Sequence, residues 1–265
     1  LVVDAVERFT VDGVTLVGSR DTDIAFGFTE RTGGVSKPPY ASLNLGSHVG
    51  DDLEAVQHNR LLALRALGVE NLYNALIIPN QVHGDDVVAV RNSDAGYLES
   101  IRERVAQGAD AIVCTARQVP VMLCFADCVP VILTCGNNGF AVVHSGWKGT
   151  YARIAAKAAR ALCEETGADP SAISAYIGPH IQGDEYQVSD DLMHKFSLRF
   201  DTIAETASRL LDLSACIRQS LEEIGVPPCA IHDLRLSTVR LNDRFFSYRA
   251  ENGTCGRHAA IAVAL

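Results

Sequence analysis

Phe140-Ala-Val-Val-His144-Ser-Gly-Trp147-Lys148-Gly149-Thr150 is the stretch from which the rest of the chain is read. An apolar run of strand character ends in a histidine, two glycines flank the single tryptophan, and a helical pattern begins at Thr150. Junctions of this kind place a side chain at the open end of a sheet, beside exposed backbone N–H groups. Two earlier apolar runs end the same way. Val121-Met-Leu-Cys-Phe-Ala126 delivers Asp127-Cys128, with Pro130 just beyond, and Ala75-Leu-Ile-Ile-Pro79 leads into Asn80-Gln81-Val82-His83-Gly84. Each run ends in a side chain able to bind a metal or act as a nucleophile.

Around these runs the pattern is that of a soluble mixed protein. At 265 residues, 48% hydrophobic and 21% charged, the chain has enough apolar material for a sizeable core and too much for disorder. No apolar run approaches the ~20 residues of a membrane helix. Leu1-Val-Val-Asp-Ala5 has neither the basic region nor the cleavage site of a secretory signal, and the missing Met implies processing or truncation. A net charge of −9 argues against nucleic acid or an acidic membrane as partner. Eight cysteines without a C-x-x-C pair, several inside apolar runs, imply reduced thiols and a cytoplasmic location.

Strands are expected at 14–17, 24–28, 75–79, 86–91, 110–114, 120–126, 129–134, 140–144, 173–177, 245–249 and 259–265. Helices are expected at 51–67, 150–165, 189–198 and 214–225. The first helix shows a stripe of Leu53, Val56, Leu61, Leu64 and Leu67, closed by Gly68. The polar connection 92–109 has room for a helical turn. Residues 29–50 form a loop rich in Gly and Pro, whose Leu43, Leu45 and Val49 supply apolar anchors that a mere surface excursion would not need. Strands adjacent in sequence, 120–126 and 129–134, imply antiparallel pairing. The expected fold is therefore α+β: mixed, largely antiparallel sheets packed with helices in a single sandwich-like domain, 1–265.

A thiolate and two imidazoles from Cys128, His83 and His144 suit Zn or Cu, and three protein ligands leave a fourth position open for water or substrate. Taken singly, a histidine after a strand is often an ordinary hydrogen-bonded residue, and a buried cysteine inert packing. Three together, beside Gly, Pro or Asp, weaken that account. The alternative drops the metal: Cys128 is a nucleophile activated by His144 or His83, with Asp127 or Gln81 orienting the base. The residue types do not separate a thiolate ligand from a thiolate nucleophile. Ser145-Gly-Trp-Lys148-Gly149 at the helix entry has the look of an anion site, with Lys148 facing phosphate.

With these residues in view, the sequence resembles the bacterial laccase-domain family, the multicopper polyphenol oxidoreductase-like proteins, nearly end to end. The resemblance is carried by Phe28-Thr-Glu-Arg31-Thr-Gly-Gly-Val-Ser36, Ser42-Leu-Asn44-Leu-Gly46, His48-Val-Gly-Asp-Asp52 and Asn80-Gln-Val-His-Gly84. Ala126-Asp-Cys-Val-Pro130, His144-Ser-Gly-Trp-Lys-Gly149, Ile177-Gly-Pro179, Leu211-Asp-Leu213 and Phe245-Phe-Ser-Tyr-Arg249 continue it in order. The resemblance implies a mixed α+β sandwich with metal ligands at His83, Cys128 and His144. It further implies a zinc-containing purine nucleoside phosphorylase with adenosine deaminase and methylthioadenosine phosphorylase activities, acting on purine nucleosides and phosphate. Bacterial members are also associated with editing of peptidoglycan precursors, which would use Cys128. Arg31, Asn44 and Lys148 are the expected substrate or phosphate contacts.

Departures from the family pattern are Phe26-Gly27-Phe28 where His precedes Gly-Phe, Ser237-Thr238 in place of Cys-Thr, and an extra Cys255 in Gly253-Thr-Cys-Gly-Arg257. A copper-dependent polyphenol oxidase (laccase) is the rival suggested by His83, Cys128, His144 and Met122. A trinuclear copper cluster needs many further histidines, and this chain has eight in all and no His-x-His pair. The rival outside enzymology is a binding module in which the metal is only a structural pin.

Overall fold

The computed structural model describes residues 6–20 and 22–265, so the leader reading at residues 1–5 lies outside it. Two sheets face each other. The first has the order β1 (Glu7–Val11), β2 (Val14–Ser19), β3 (Ile24–Thr29), β11 (His258–Ala264), β6 (Val121–Phe125), with every neighbouring pair antiparallel. The second has the order β10 (Ile231–Asp233), β9 (Ile173–Ile177), β7 (Val129–Cys135), β8 (Phe140–Ser145), β5 (Ala111–Cys114), β4 (Val87–Val90). Its outer pairs, β10 with β9 and β5 with β4, are parallel, and the rest are antiparallel. The expected α+β class, with largely antiparallel sheets and helices in one domain, is what the chain adopts.

Strand alternation sorts the apolar residues into layers. Val121, Leu123 and Phe125 of β6, with Phe26 and Phe28 of β3, meet Ile132, Phe140, Val142 and Tyr176 of the second sheet in an inter-sheet core. On the far side of the first sheet, Met122, Ile261 and Val263 pack against α1 (Leu53–Ala66). On the far side of the second, Val131, Leu133 and Val143 pack against Ile154, Ala158 and Leu162 of α4 (Ile154–Thr166) and Ile217 and Leu221 of α6 (Leu213–Glu222). The order of layers is helix, sheet, sheet, helix.

Several expectations need correction. Residues 120–126 and 129–134 do form strands but do not pair: β6 joins β11 in one sheet, and β7 joins β8 and β9 in the other. The chain crosses between sheets at 126–128, where Asp127 takes a left-handed conformation (φ 85) that Asp tolerates better than most residues. Residues 75–79 make only an isolated bridge, Ile77 to Val121, because Pro79 removes a donor. Residues 245–249 are turns around buried Phe245 and Phe246, not a strand.

The connection 92–109 holds a full helix, α2 (Ala95–Ala106), whose Leu98, Ile101 and Val105 close one side of the inter-sheet core. The helix expected at 150–165 is two, α3 (Trp147–Tyr151) and α4, broken where Arg153 is left-handed (φ 62). The helix expected at 189–198 is α5 (Asp190–Ser197). On α1, Leu53 is exposed and Asn59 takes a place in the buried face.

The loop 29–50 is ordered by that asparagine. Asn59 donates to Ser36 Oγ, Ser42 O and Asn44 O, and its Oδ1 accepts from Val35 N–H. Leu43 and Leu45 are buried in the α1-side core, as their anchor role requires. The chain thus returns to the end of the sheets where β6, β7 and β8 meet.

Candidate functional site

His144 is the fifth residue of β8 and has the same parity as Phe140 and Val142, so it faces the inter-sheet side at the strand's end. It is 3% exposed, with its ring beside Phe125 (centroids 5.3 Å apart). Cys128 lies where the chain enters β7 after crossing between the sheets, half-buried against the same core. His83 comes from the loop before β4 and is left-handed (φ 57). Its ring meets that of His144 edge-on at 4.8 Å. The ligand atoms of His83, Cys128 and His144 all lie within 4.8 Å of one another. The three runs picked out by sequence do converge.

Asp110, absent from the sequence reading, organises the cluster. Its buried carboxylate accepts from the Val82 and Gly84 amides on Oδ2, at 3.2 and 2.7 Å. Its Oδ1 takes the His83 amide at 3.0 Å and His144 Nδ1 at 2.7 Å. One carboxylate therefore shapes the left-handed turn carrying His83 and sets the tautomer of His144, leaving Nε2 to face the cluster. Burial alone would raise its pKa, but the bond and charge of His144 and the amides outweigh this and hold the carboxyl below its usual value. The only sequence signal was an acid at the head of a wholly apolar strand, Asp110-Ala-Ile-Val-Cys114. Gln81 fixes the loop from the other side, exchanging two 2.8 Å hydrogen bonds with the Cys124 backbone.

The electrostatics of the cluster suit a cation. Burial pushes the Cys128 thiol up, yet the charges and hydrogen bonds of His144 and His83 bring it down to about 6. Burial likewise lowers His144, but the Cys128 thiolate and Asp110 raise it to about 9. Without metal the pair is a thiolate and an imidazolium, and a soft divalent metal takes the proton's place. Space is provided at Gly146, where a Cβ would stand 3.1 Å from Cys128 Sγ and 3.2 Å from His83 Cδ2. One thiolate, two imidazoles, a carboxylate behind one imidazole and a glycine that keeps the cradle open fit a metal ion.

The cluster forms part of the wall of a cavity of about 530 Å3. Aromatic and apolar groups, Trp147, Ile181, Tyr186, Leu213 and Tyr248, share the lining with His48, Arg249 and Arg257. Burial, followed by the charge of Cys128, raises the Tyr186 phenol, so it stays a hydrogen-bond donor. Asp127 ties the crossing to the cavity rim, accepting from Thr238 Oγ1 and the Arg249 amide, each at 2.6 Å.

The other sequence-predicted contacts lie elsewhere. Arg31 is spent on the carbonyls of Ala41 and Asn242, on Glu251 and on the Phe246 ring. Asn44 is buried and bonded to Gly46, Asp51 and the Arg257 amide. Lys148 rests 5.5 Å over the Trp147 ring. None of the three is among the cavity-lining residues. Met122, the axial ligand of the copper rival, is fully buried on the α1 side. No described helix is long and apolar enough to cross a membrane.

The fold and this site define a member of a known family: residues 25–264 match the multi-copper polyphenol oxidoreductase laccase family, and the chain belongs to it. Among its relatives, a Streptomyces coelicolor protein named purine nucleoside phosphorylase is 40% identical over 252 residues, covering 92% of this chain and 98% of that one. Bacillus subtilis YlmD, also named purine nucleoside phosphorylase, is 31% identical over 247 residues, covering 89% and 86%. The crystal structure of YlmD from Geobacillus stearothermophilus superposes with a TM-score of 0.86 at 28% identity, covering 98% of this chain and 99% of that one. The family resemblance read from the motifs is borne out.

Proposed function

We propose that this chain is a zinc-dependent purine nucleoside phosphorylase that also deaminates adenosine and cleaves methylthioadenosine. The observation that carries the reading is the convergence of His83, Cys128 and His144 in the wall of a cavity large enough for a nucleoside. The names of the relatives support the phosphorylase part. The thiolate and imidazole donors, with His144 and the His83 turn held by Asp110, favour zinc as the resident ion. Bound there, zinc would supply Lewis-acid polarisation of water or of the substrate.

The chain's own residues do the rest. Asp110 keeps His144 and the His83 turn in place, and the aromatic lining excludes water from a flat base. Tyr186 offers a neutral donor near Cys128. In phosphorolysis a phosphate oxygen bonds to the anomeric carbon while the glycosidic C–N bond breaks and the purine leaves with a proton. In deamination water replaces the amino group and ammonia departs.

The test is metal analysis alongside turnover. Protein made without added copper should carry about one zinc per chain. Free base should appear from inosine only with phosphate, and inosine from adenosine without it. Stoichiometric copper in place of zinc sinks the metal assignment, and no turnover of any purine nucleoside by zinc-loaded protein sinks the activity. The lowered Cys128 pKa favours a second reading, a thiolate nucleophile in a hydrolase acting on peptidoglycan precursors. Cys128→Ser separates the two: a ligand variant loses zinc and activity together, whereas a nucleophile variant keeps its zinc.

A further inference from the structure

One corner of the cavity is cationic and holds no counter-ion of its own. The chain carries a net charge of −9, and arginines close by are paired, Arg31 with Glu251 and Arg244 with Glu30. Among the described residues, Arg257 and Arg60 form no ion pair, although carboxylates are plentiful elsewhere. We propose that Arg257, with Arg60 and His48 beside it, binds the tetrahedral dianion of the reaction, inorganic phosphate, in the role expected of Lys148. This rests on the phosphorylase reading above.

The Arg257 head is fixed before any ligand arrives. Its Nη1 donates to the Cys255 and Gly256 carbonyls, each at 2.9 Å, and lies 3.3 Å from Cys255 Sγ. Its Nε and Nη2 have no protein acceptor among the described residues. A guanidinium tethered through one nitrogen presents its remaining donors as a fork, the geometry that two oxygens of a phosphate accept. Arg257 belongs to the cavity lining, as does His48.

The backbone makes room for this arrangement. A Cβ on Gly46 would stand 2.7 Å from Arg257 Cγ and 3.4 Å from His48 Cε1, so both side chains flank the same glycine. The loop is locked to Arg257 by the Arg257 N–H, which donates to Asn44 Oδ1, and by the Leu45 N–H, which donates to the Arg257 carbonyl. Arg60 Nε donates to Leu45 O, setting a second cation behind the same turn. The field is positive: burial, then Arg257 and Arg60, hold the His48 imidazole below its ordinary value. The buried Cys124 thiol, also in the lining, feels both arginines as well. By contrast, Lys148 lies on a five-residue helix against Trp147 and outside the cavity lining.

Two measurements on zinc-loaded protein test the assignment: the phosphate KM with inosine, and inorganic phosphate binding followed by phosphorus NMR line width. Arg257→Gln should raise both the phosphate KM and the phosphate Kd by at least ~10-fold, the scale of one lost charge-assisted bond. The nucleoside KM should move far less. Arg257→Lys should recover part of the loss, since it restores charge without the fork. His48→Ala, on the loop rather than in a strand or helix, should show the same direction if Arg257→Gln fails to fold, and Lys148→Gln should match wild type.

Phosphorolysis with an unchanged phosphate KM in Arg257→Gln and His48→Ala overturns the anion site and leaves the proposed function standing. If wild type performs no phosphorolysis, the proposed function fails and the NMR titration alone decides. Weaker phosphate binding in the variants then upholds the corner as an anion site, and equal binding overturns it.

Discussion

Replacing Asp110 with Asn keeps the shape of the side chain and removes its charge and one acceptor edge. In the wild type each carboxylate oxygen serves two donors: His83 N and His144 Nδ1 on one, Val82 N and Gly84 N on the other. Whichever way the amide lies, one of these pairs would face an NH2 group. Hydrogen bonds to a charged acceptor contribute about 1.5–3 kcal/mol each, so two lost bonds remove about 3–6 kcal/mol. That is a large part of the ~5–15 kcal/mol by which a domain is stable. Zinc affinity should fall about 10–100-fold, the usual effect of removing a partner behind a metal-bound histidine. Zinc competition against a chromophoric chelator and urea unfolding of the metal-free protein measure the two losses separately. Reduced stability with wild-type zinc affinity would refute the orienting role, and no change in either would refute the whole account of Asp110.

Other substitutions probe the neighbouring parts. Gly146→Ala suits the backbone there (φ −72, ψ 177) but sets a methyl 3.1 Å from Cys128 Sγ, so it should weaken zinc binding with an unchanged circular dichroism spectrum. Phe26→Ala opens the inter-sheet core and should cost about 3–5 kcal/mol in urea unfolding. Glu30, 2% exposed, joins Arg8 and Arg244; burial raises its pKa, but bonds from both arginines prevail and hold it low. A carboxyl lowered by folding stabilises above its unfolded pKa and loses that contribution as pH falls through the lower folded value. Glu30→Gln should therefore lower the urea midpoint at pH 7, and the gap to wild type should close in acid. A gap that is constant with pH would contradict this.

The parts of the fold legible in the sequence were those governed by local pattern. Val121–Phe125, Val129–Cys135 and Phe140–Ser145 announce themselves by unbroken apolar runs, and α1 and α6 by their periodicity. Pairing was not legible, because it depends on contacts distant in sequence. The short link 126–128 looks like a hairpin, yet a left-handed Asp127 sends the chain into the other sheet. The helix α2 was hidden because only Leu98, Ile101 and Val105 of its twelve residues are buried, too thin a stripe to stand out among charges. Within the site, His83, Cys128 and His144 showed through their residue types and their places at the ends of apolar runs. Asp110, Tyr186 and Arg257 did not, because an acid, a phenol and an arginine acquire meaning only from what the fold sets beside them. Arg31 and Asn44 illustrate the converse, since motif membership marked them as contacts and their hydrogen bonds make them braces for the loop.

The single asparagine that gathers the loop 29–50 has a consequence for how that region opens. A loop of this length ordinarily frays piecemeal, each stretch exchanging its amides with solvent on its own schedule. Here Val35, Ser36, Ser42 and Asn44 all depend on Asn59, and Gly46, His48 and Arg257 depend in turn on the loop's course. Breaking that hub releases every segment at once. The wall of the cavity should thus behave as one cooperative unit whose amides gain or lose hydrogen-exchange protection together, governed from a helix packed on the outer face of the first sheet.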